Sequence, residues 1–194
     1  MDHALTLPRE TPRHRTDVAL GLVLFIGSWS MAFATLFLSF LILRQRQPAW
    51  PPEGVVLPSL GLAAVGTAVL LASSVVLAGA VRRLRTGAPG FAARWALGLA
   101  LGLAFAALQT WLWAGVWTAG GRPDSGMYEG LFYMLTWFHA AHVACGLLAL
   151  LWIQGAAAAG RIGPQRSAPA AAVATFWHFV DAVWLILFLG FFLF

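Results

Sequence analysis

The chain has 194 residues, 60% of them apolar and only 10% charged, against roughly 25% charged in an average soluble domain. So few charges cannot cover the surface of a water-soluble fold of this size. The net charge of +5 would suit nucleic acid, but all twelve basic residues are Arg and they fall between apolar blocks, which is a pattern of membrane topology and not of a DNA-binding face.

The polar stretch Met1 to Asp17 carries Arg9, Arg13 and Arg15 and reads as a tail, residues 1–17. Behind it, Val18 to Leu43 is an apolar block containing Ala32-Phe33-Ala34, which resembles a signal-peptide cleavage site. The block is too long for a signal peptide and reads as a retained helix. The Pro-rich Gln47-Pro48-Ala49-Trp50-Pro51-Pro52-Glu53-Gly54 is an exposed turn. Further apolar blocks run Val55 to Val81, Trp95 to Ala119, Gly130 to Ala159 and Ala168 to Phe194. Each of the five exceeds the ~20 residues a helix needs to cross the hydrocarbon core. A closed barrel needs short segments of alternating polarity, and these are absent. The expected fold is therefore all-α: one transmembrane domain over residues 18–194, a five-helix bundle without internal repeat or second domain.

Orientation follows the Arg residues. The tail, the second loop (Arg82, Arg83, Arg85 and Arg94) and the fourth loop (Arg161 and Arg166) hold nine, and the opposite side holds Arg44, Arg46 and Arg122. This places the N-terminus in the cytoplasm and the C-terminus across the membrane. Arg122, Asp124 and Glu129 fall in the third loop and read as solvated. Trp50, Trp95, Trp117 and Trp152 lie near block ends, where an interfacial aromatic belt is expected. Cys145 lies inside an apolar block and reads as a buried, inert thiol.

Polar side chains inside the spans need an account, because an ionisable group near the midplane is costly unless it is paired or hydrated. His139 and His142 share one face of the fourth helix, and His178 and Asp181 share one face of the fifth, both at i,i+3 spacing. His178 lies about ten residues, or ~15 Å, into its helix, at a depth similar to that of His139. Three intramembrane histidines suggest metal or haem ligation. Two histidines three apart on one helix cannot be opposed axial ligands of one haem, so a haem would use His178 with His139 or His142. The favoured reading is an interhelical polar cluster of His139, His142, His178, Asp181 and Gln109, with no metal and no catalytic residue. Asp181 also has a reading as a proton relay, for which the fifth helix offers only Thr175 and His178 as partners. Gln109, Ser73 and Ser74 read as helix-to-helix hydrogen bonders, and Gly98 with Gly102 as a face for close packing.

Several strings together resemble subunit III of the haem-copper oxidases, which include cytochrome c oxidase and quinol oxidase. Phe176-Trp177-His178-Phe179-Val180-Asp181-Ala182-Val183-Trp184-Leu185 is similar to that family's last-helix signature. Ser125-Gly126-Met127-Tyr128, Leu131-Phe132-Tyr133-Met134-Leu135-Thr136 and Phe138-His139-Ala140-Ala141-His142-Val143 resemble its preceding helix. Trp50-Pro51-Pro52-Glu53-Gly54, Leu70-Leu71-Ala72-Ser73-Ser74-Val75 and Gln109 resemble its outer loop and the two helices after it. Five helices match the family's short bacterial form. Trp29 and Leu112 stand where the family usually has Glu, and Trp137 where it usually has Gly, which implies a divergent branch with large rings in that space.

The resemblance implies a non-catalytic accessory subunit of a respiratory terminal oxidase, multi-pass in the bacterial cytoplasmic (inner) membrane. It would support the stability, lipid binding and proton uptake of the catalytic subunit during O₂ reduction. Its partners would be subunit I and subunit II, which hold the haem and copper, together with phospholipid and no nucleic acid. This chain itself would carry no cofactor beyond phospholipid, bound in a cleft between the first two helices and the rest. Trp29, Trp137, Arg82, Arg83, Arg85 and Arg94 are the expected lipid contacts. The alternatives are the accessory subunit of a nitric oxide reductase and, from a different class, a small b-type haem protein using His178. A transporter is disfavoured because there is no inverted repeat or broken helix pair.

Overall fold

The computed structural model describes residues 12–193. Residues 1–11, with Arg9, and Phe194 lie outside the described residues, as do the side chains of Arg13 and Arg15. The described residues form five long helices and no strand: α1 (Pro12–Gln45), α2 (Leu60–Thr86), α3 (Phe91–Thr118), α4 (Met127–Ala158) and α5 (Ala168–Phe188). A 3-10 turn, Pro164–Arg166, leads into α5, and a π-helical turn, Leu189–Leu193, extends it. All five are long and apolar enough to cross a membrane. Large apolar side chains lie outside as well as inside, among them Val75, Trp111, Leu148 and Trp152. A helix apolar all round needs lipid and not water on its outer face.

The ends differ from those set by charge alone. The chain is already helical at Pro12, so the expected tail is helix from there to Asp17. Proline's fixed φ and missing N–H suit a helix's first turn. The second helix begins at Leu60, where the Ser59 hydroxyl accepts from Leu62 N at 3.3 Å, and stops at Gly87, whose φ of 70° is left-handed. Arg82, Arg83 and Arg85 are therefore the last turns of a helix and not a loop. Long Arg stems can run beside apolar neighbours while the guanidinium reaches water or headgroups.

Helices α2, α3, α4 and α5 pack in a ring, α2 on α3, α3 on α4, α4 on α5 and α5 back on α2, with the α2–α3 contact the most extensive. Helix α1 stands outside this ring, against α5 and more lightly α4. The first two helices consequently do not form a pair set apart from the rest: α2 belongs to the ring. One apolar core lies toward the Arg-rich end around Leu77, Leu84, Trp95, Leu150 and Trp177. A second lies toward the other end around Phe40, Leu112, Tyr128, Phe132 and Leu187.

Candidate functional site

Glycine and small polar residues set the helix spacing inside the ring. Ser73 Oγ on α2 donates to the Gly98 carbonyl of α3 at 2.8 Å, a bond that requires close backbones. A Cβ on Gly98 would lie 2.6 Å from Leu77. One on Gly102 would lie 2.8 Å from Trp177 of α5, and one on Gly146 of α4 would also meet that ring at 2.8 Å. The paired glycines of α3 thus serve different neighbours.

The five polar residues expected as one cluster fall in three places. His139 stacks on Trp184, ring centroids 5.5 Å apart at 30°, and shares a small cavity between α3 and α4 with Gln109. Trp184 is fixed in turn by its Nε1–H, which donates to Thr67 Oγ1 of α2 at 2.9 Å. His142 faces α1: its ring lies 4.2 Å from Trp29, edge to face, and near Phe33 and Phe138. Its Nδ1 is 2.8 Å from the Phe138 carbonyl; a carbonyl only accepts, so Nδ1 carries the proton. Asp181 is buried and lies beside Ser74 of α2 and His178 of its own helix. His178 is half-buried on α5. Among the described residues no group of three or more His, Cys, Asp or Glu is placed to hold a metal.

Other polar groups were not singled out from the sequence. Thr67 and Thr136 accept from buried or half-buried indoles, Thr136 from Trp113 at 3.2 Å, and Tyr133 OH donates to the Gly121 carbonyl at 3.0 Å. Their signal, a hydroxyl inside a span, is weak because each also bonds its own helix backbone or lies near a helix end. Three expectations are corrected. Glu129 is not in a solvated loop: it lies in the first turn of α4, 4% exposed. Trp95 is fully buried, its Nε1 donating to the Leu150 carbonyl at 2.9 Å, so it is no interfacial anchor, whereas Trp117 and Trp152 are exposed near helix ends. Cys145 is exposed on the outer face of α4 and not buried.

Two grooves separate α1 from α5. At the Arg-rich end a groove of about 670 Å³ is lined by Val18, Leu22, Arg85, Gln165 and Ala171. Farther along, a groove of about 600 Å³ has an almost wholly apolar wall, including Ala34, Phe37, Leu41, Ala182 and Ile186. Of the four arginines expected at lipid, Arg85 lines a groove and Arg82 is exposed. Arg83 instead closes the α2–α3 turn by donating to the Pro89 carbonyl at 2.7 Å, and Arg94 reaches across to Gly79. Trp137 is exposed, packed on Trp113 and Tyr133. Trp29 lines neither groove but closes the contact between α1 and α4.

An all-helical bundle of five spans, apolar outside and joined inside by isolated polar contacts, defines a multi-pass membrane protein. The chain matches the family described as cytochrome c oxidase subunit III over residues 5–194. It is 32% identical to cytochrome c oxidase subunit 3 of Thermostichus vulcanus over 97% of this chain and 89% of that one. It is 34% identical to the probable cytochrome c oxidase subunit 3 of Nocardia farcinica, over 88% and 85%, and 33% identical to the subunit of Synechocystis, over 87% and 72%. The chain belongs to the cytochrome c oxidase subunit III family, the accessory subunits of haem-copper oxidases, and its setting is a membrane-embedded oxidase complex.

Proposed function

We propose that this subunit packs against subunit I, with subunit II in the same complex, in the cytoplasmic membrane of a bacterium, its N-terminus in the cytoplasm and its C-terminus outside. It carries no electrons. The His139 cavity, about 110 Å³, is too small for a porphyrin, and the three histidines stand in different packing environments. Haem and copper belong to the partner subunits, and the reaction served is reduction of O₂.

Its contribution is structural and lipidic. The observation that carries this is the pair of grooves between α1 and α5, with a cation at one end and an apolar wall beyond. A phospholipid fits that order of chemistry, its phosphate at Arg85 and its acyl chains along Ala34, Leu41 and Ile186. Lipid held there keeps α1 seated and sustains the proton-uptake surface of the catalytic subunit. The test compares complexes with and without this chain in matched lipid. The stripped complex is expected to start at an unchanged rate with unchanged haem spectra and then to lose activity progressively during turnover. An initial rate that vanished on removal, or a catalytic lifetime that did not change, would overturn the proposal.

A further inference from the structure

Gln109 on α3 and His139 on α4 line one cavity of about 110 Å³, whose wall is otherwise largely apolar, with Phe105, Val143 and Leu147. Both side chains are more than nine-tenths buried, His139 at 2% and Gln109 at 7% exposure. Neither ring nitrogen of His139 nor the Gln109 amide nitrogen has a hydrogen-bond partner among the described residues. The other polar groups on the wall are already engaged: Trp113 Nε1–H donates to Thr136 Oγ1 at 3.2 Å, and Thr110 Oγ1 donates to the Ala106 carbonyl at 2.8 Å. The His139 ring is held against Trp184, so it is not free to swing to another acceptor. The two side chains therefore face one space with no hydrogen bond between them.

We infer that this cavity is a water-binding site and that water bridges Gln109 to His139. Genuinely dry cavities are apolar, and a buried water needs two to four polar partners. Here an amide donor and an imidazole, which in its neutral form carries one donor and one acceptor, supply them. The volume is well above the ~10–15 Å³ that one buried water needs. His139 lies twelve residues from Met127, about 18 Å along α4, so the site is at hydrocarbon depth, where lipid offers no hydrogen bond and an unmet polar group is costlier than in a soluble protein. The water makes α3 and α4 a hydrogen-bonded pair at a level where no direct side-chain bond between Gln109 and His139 forms. A porphyrin or an acyl chain would leave the same donors unmet.

The assembled oxidase in lipid, imaged by cryo-electron microscopy at a resolution that shows ordered waters, tests this. A peak within hydrogen-bond distance of both a His139 ring nitrogen and Gln109 Nε2 is expected in the wild type, and its loss in Gln109→Leu. An empty cavity, an acyl chain in it, or a direct Gln109–His139 bond with no intervening peak in the wild type would overturn the inference. If Gln109→Leu failed to assemble, the wild-type map would still decide. A second measurement is water-to-histidine magnetisation transfer in the ¹⁵N-histidine-labelled complex. A water-contacted resonance that disappears in His139→Leu is expected, and a His139 resonance without transfer would count against the site.

Discussion

Trp177 shows how much a single side chain determines in this interior. Its ring lies against Gly102 of α3 and Gly146 of α4, both within 2.8 Å of where a Cβ would stand. Gly102→Ala and Gly146→Ala each force this fully buried ring to move, and overpacking of that kind costs about 1–3 kcal/mol. Gly115→Ala and Gly155→Ala, with nothing within 4 Å, are the controls and should leave thermal stability in detergent unchanged. Equal shifts for all four variants would mean that helix propensity and not packing sets the effect. Asp181 is judged in the same way. Asp181→Asn keeps its shape and some hydrogen bonding, so the assembled complex should retain most of its turnover, whereas Asp181→Leu should weaken assembly by leaving Ser74 facing an apolar group. Loss of proton pumping in an intact Asn variant would restore a relay role. Which residues are buried was partly legible in the sequence, for Asp181, His139, Gln109 and Gly102. It was misread for Cys145 and Glu129. Cysteine burial was judged from hydropathy, which in a membrane cannot separate the lipid face from the bundle face, and Glu129 was placed by its charge, which the first turn of a helix can bury.

Among the elements, the existence and number of helices followed from apolar length, while their ends and partners did not. Apolar runs end where charge begins, but α2 continues through Arg82, Arg83 and Arg85 to Gly87, and α4 begins before Glu129. Partner choice depends on packing details such as the Gly98 approach to α2, and no periodic signal in an all-round apolar helix reveals these. The separate position of α1 has a consequence. Its far end is held through Phe37 and Phe40, which a Cβ on Gly190 would approach to 3.0 and 3.4 Å, and its middle through Trp29 on His142. Gly190→Val should therefore loosen α1 from α5 without unfolding the ring. Limited proteolysis or hydrogen exchange should show gained exchange in α1 with α2 to α5 unchanged. Uniform gain across all helices would indicate that α1 is an integral part of the ring.

At the scale of the whole molecule, the asymmetry of charge predicts which end faces the cytoplasm, and cysteines introduced into the turns make that testable on the membrane-embedded protein. Nine arginines mark one side and three the other, which favours a cytoplasmic Arg-rich end. The α3–α4 turn carrying the exposed Asp124 then lies outside, and the α4–α5 turn carrying the exposed Ala159 lies inside. Cys145 is thirteen residues from Ala158, about 20 Å along α4, and eighteen from Met127, about 27 Å. It therefore lies at hydrocarbon depth, where a charged maleimide cannot follow, and the native protein supplies a silent background. In intact cells, Asp124→Cys should react with a membrane-impermeant maleimide at once, and Ala159→Cys only after the membrane is permeabilised. Reversal of the two would invert the bundle and place Arg82 and Arg85 on the outer face. It would also remove the basis for a groove cation at the cytoplasmic headgroups, because the anionic lipid that it is meant to hold is recruited by arginines on that side. Labelling of both sites in intact cells would instead contradict an odd number of spans between them, and with it the assignment of α4 as a membrane-crossing helix.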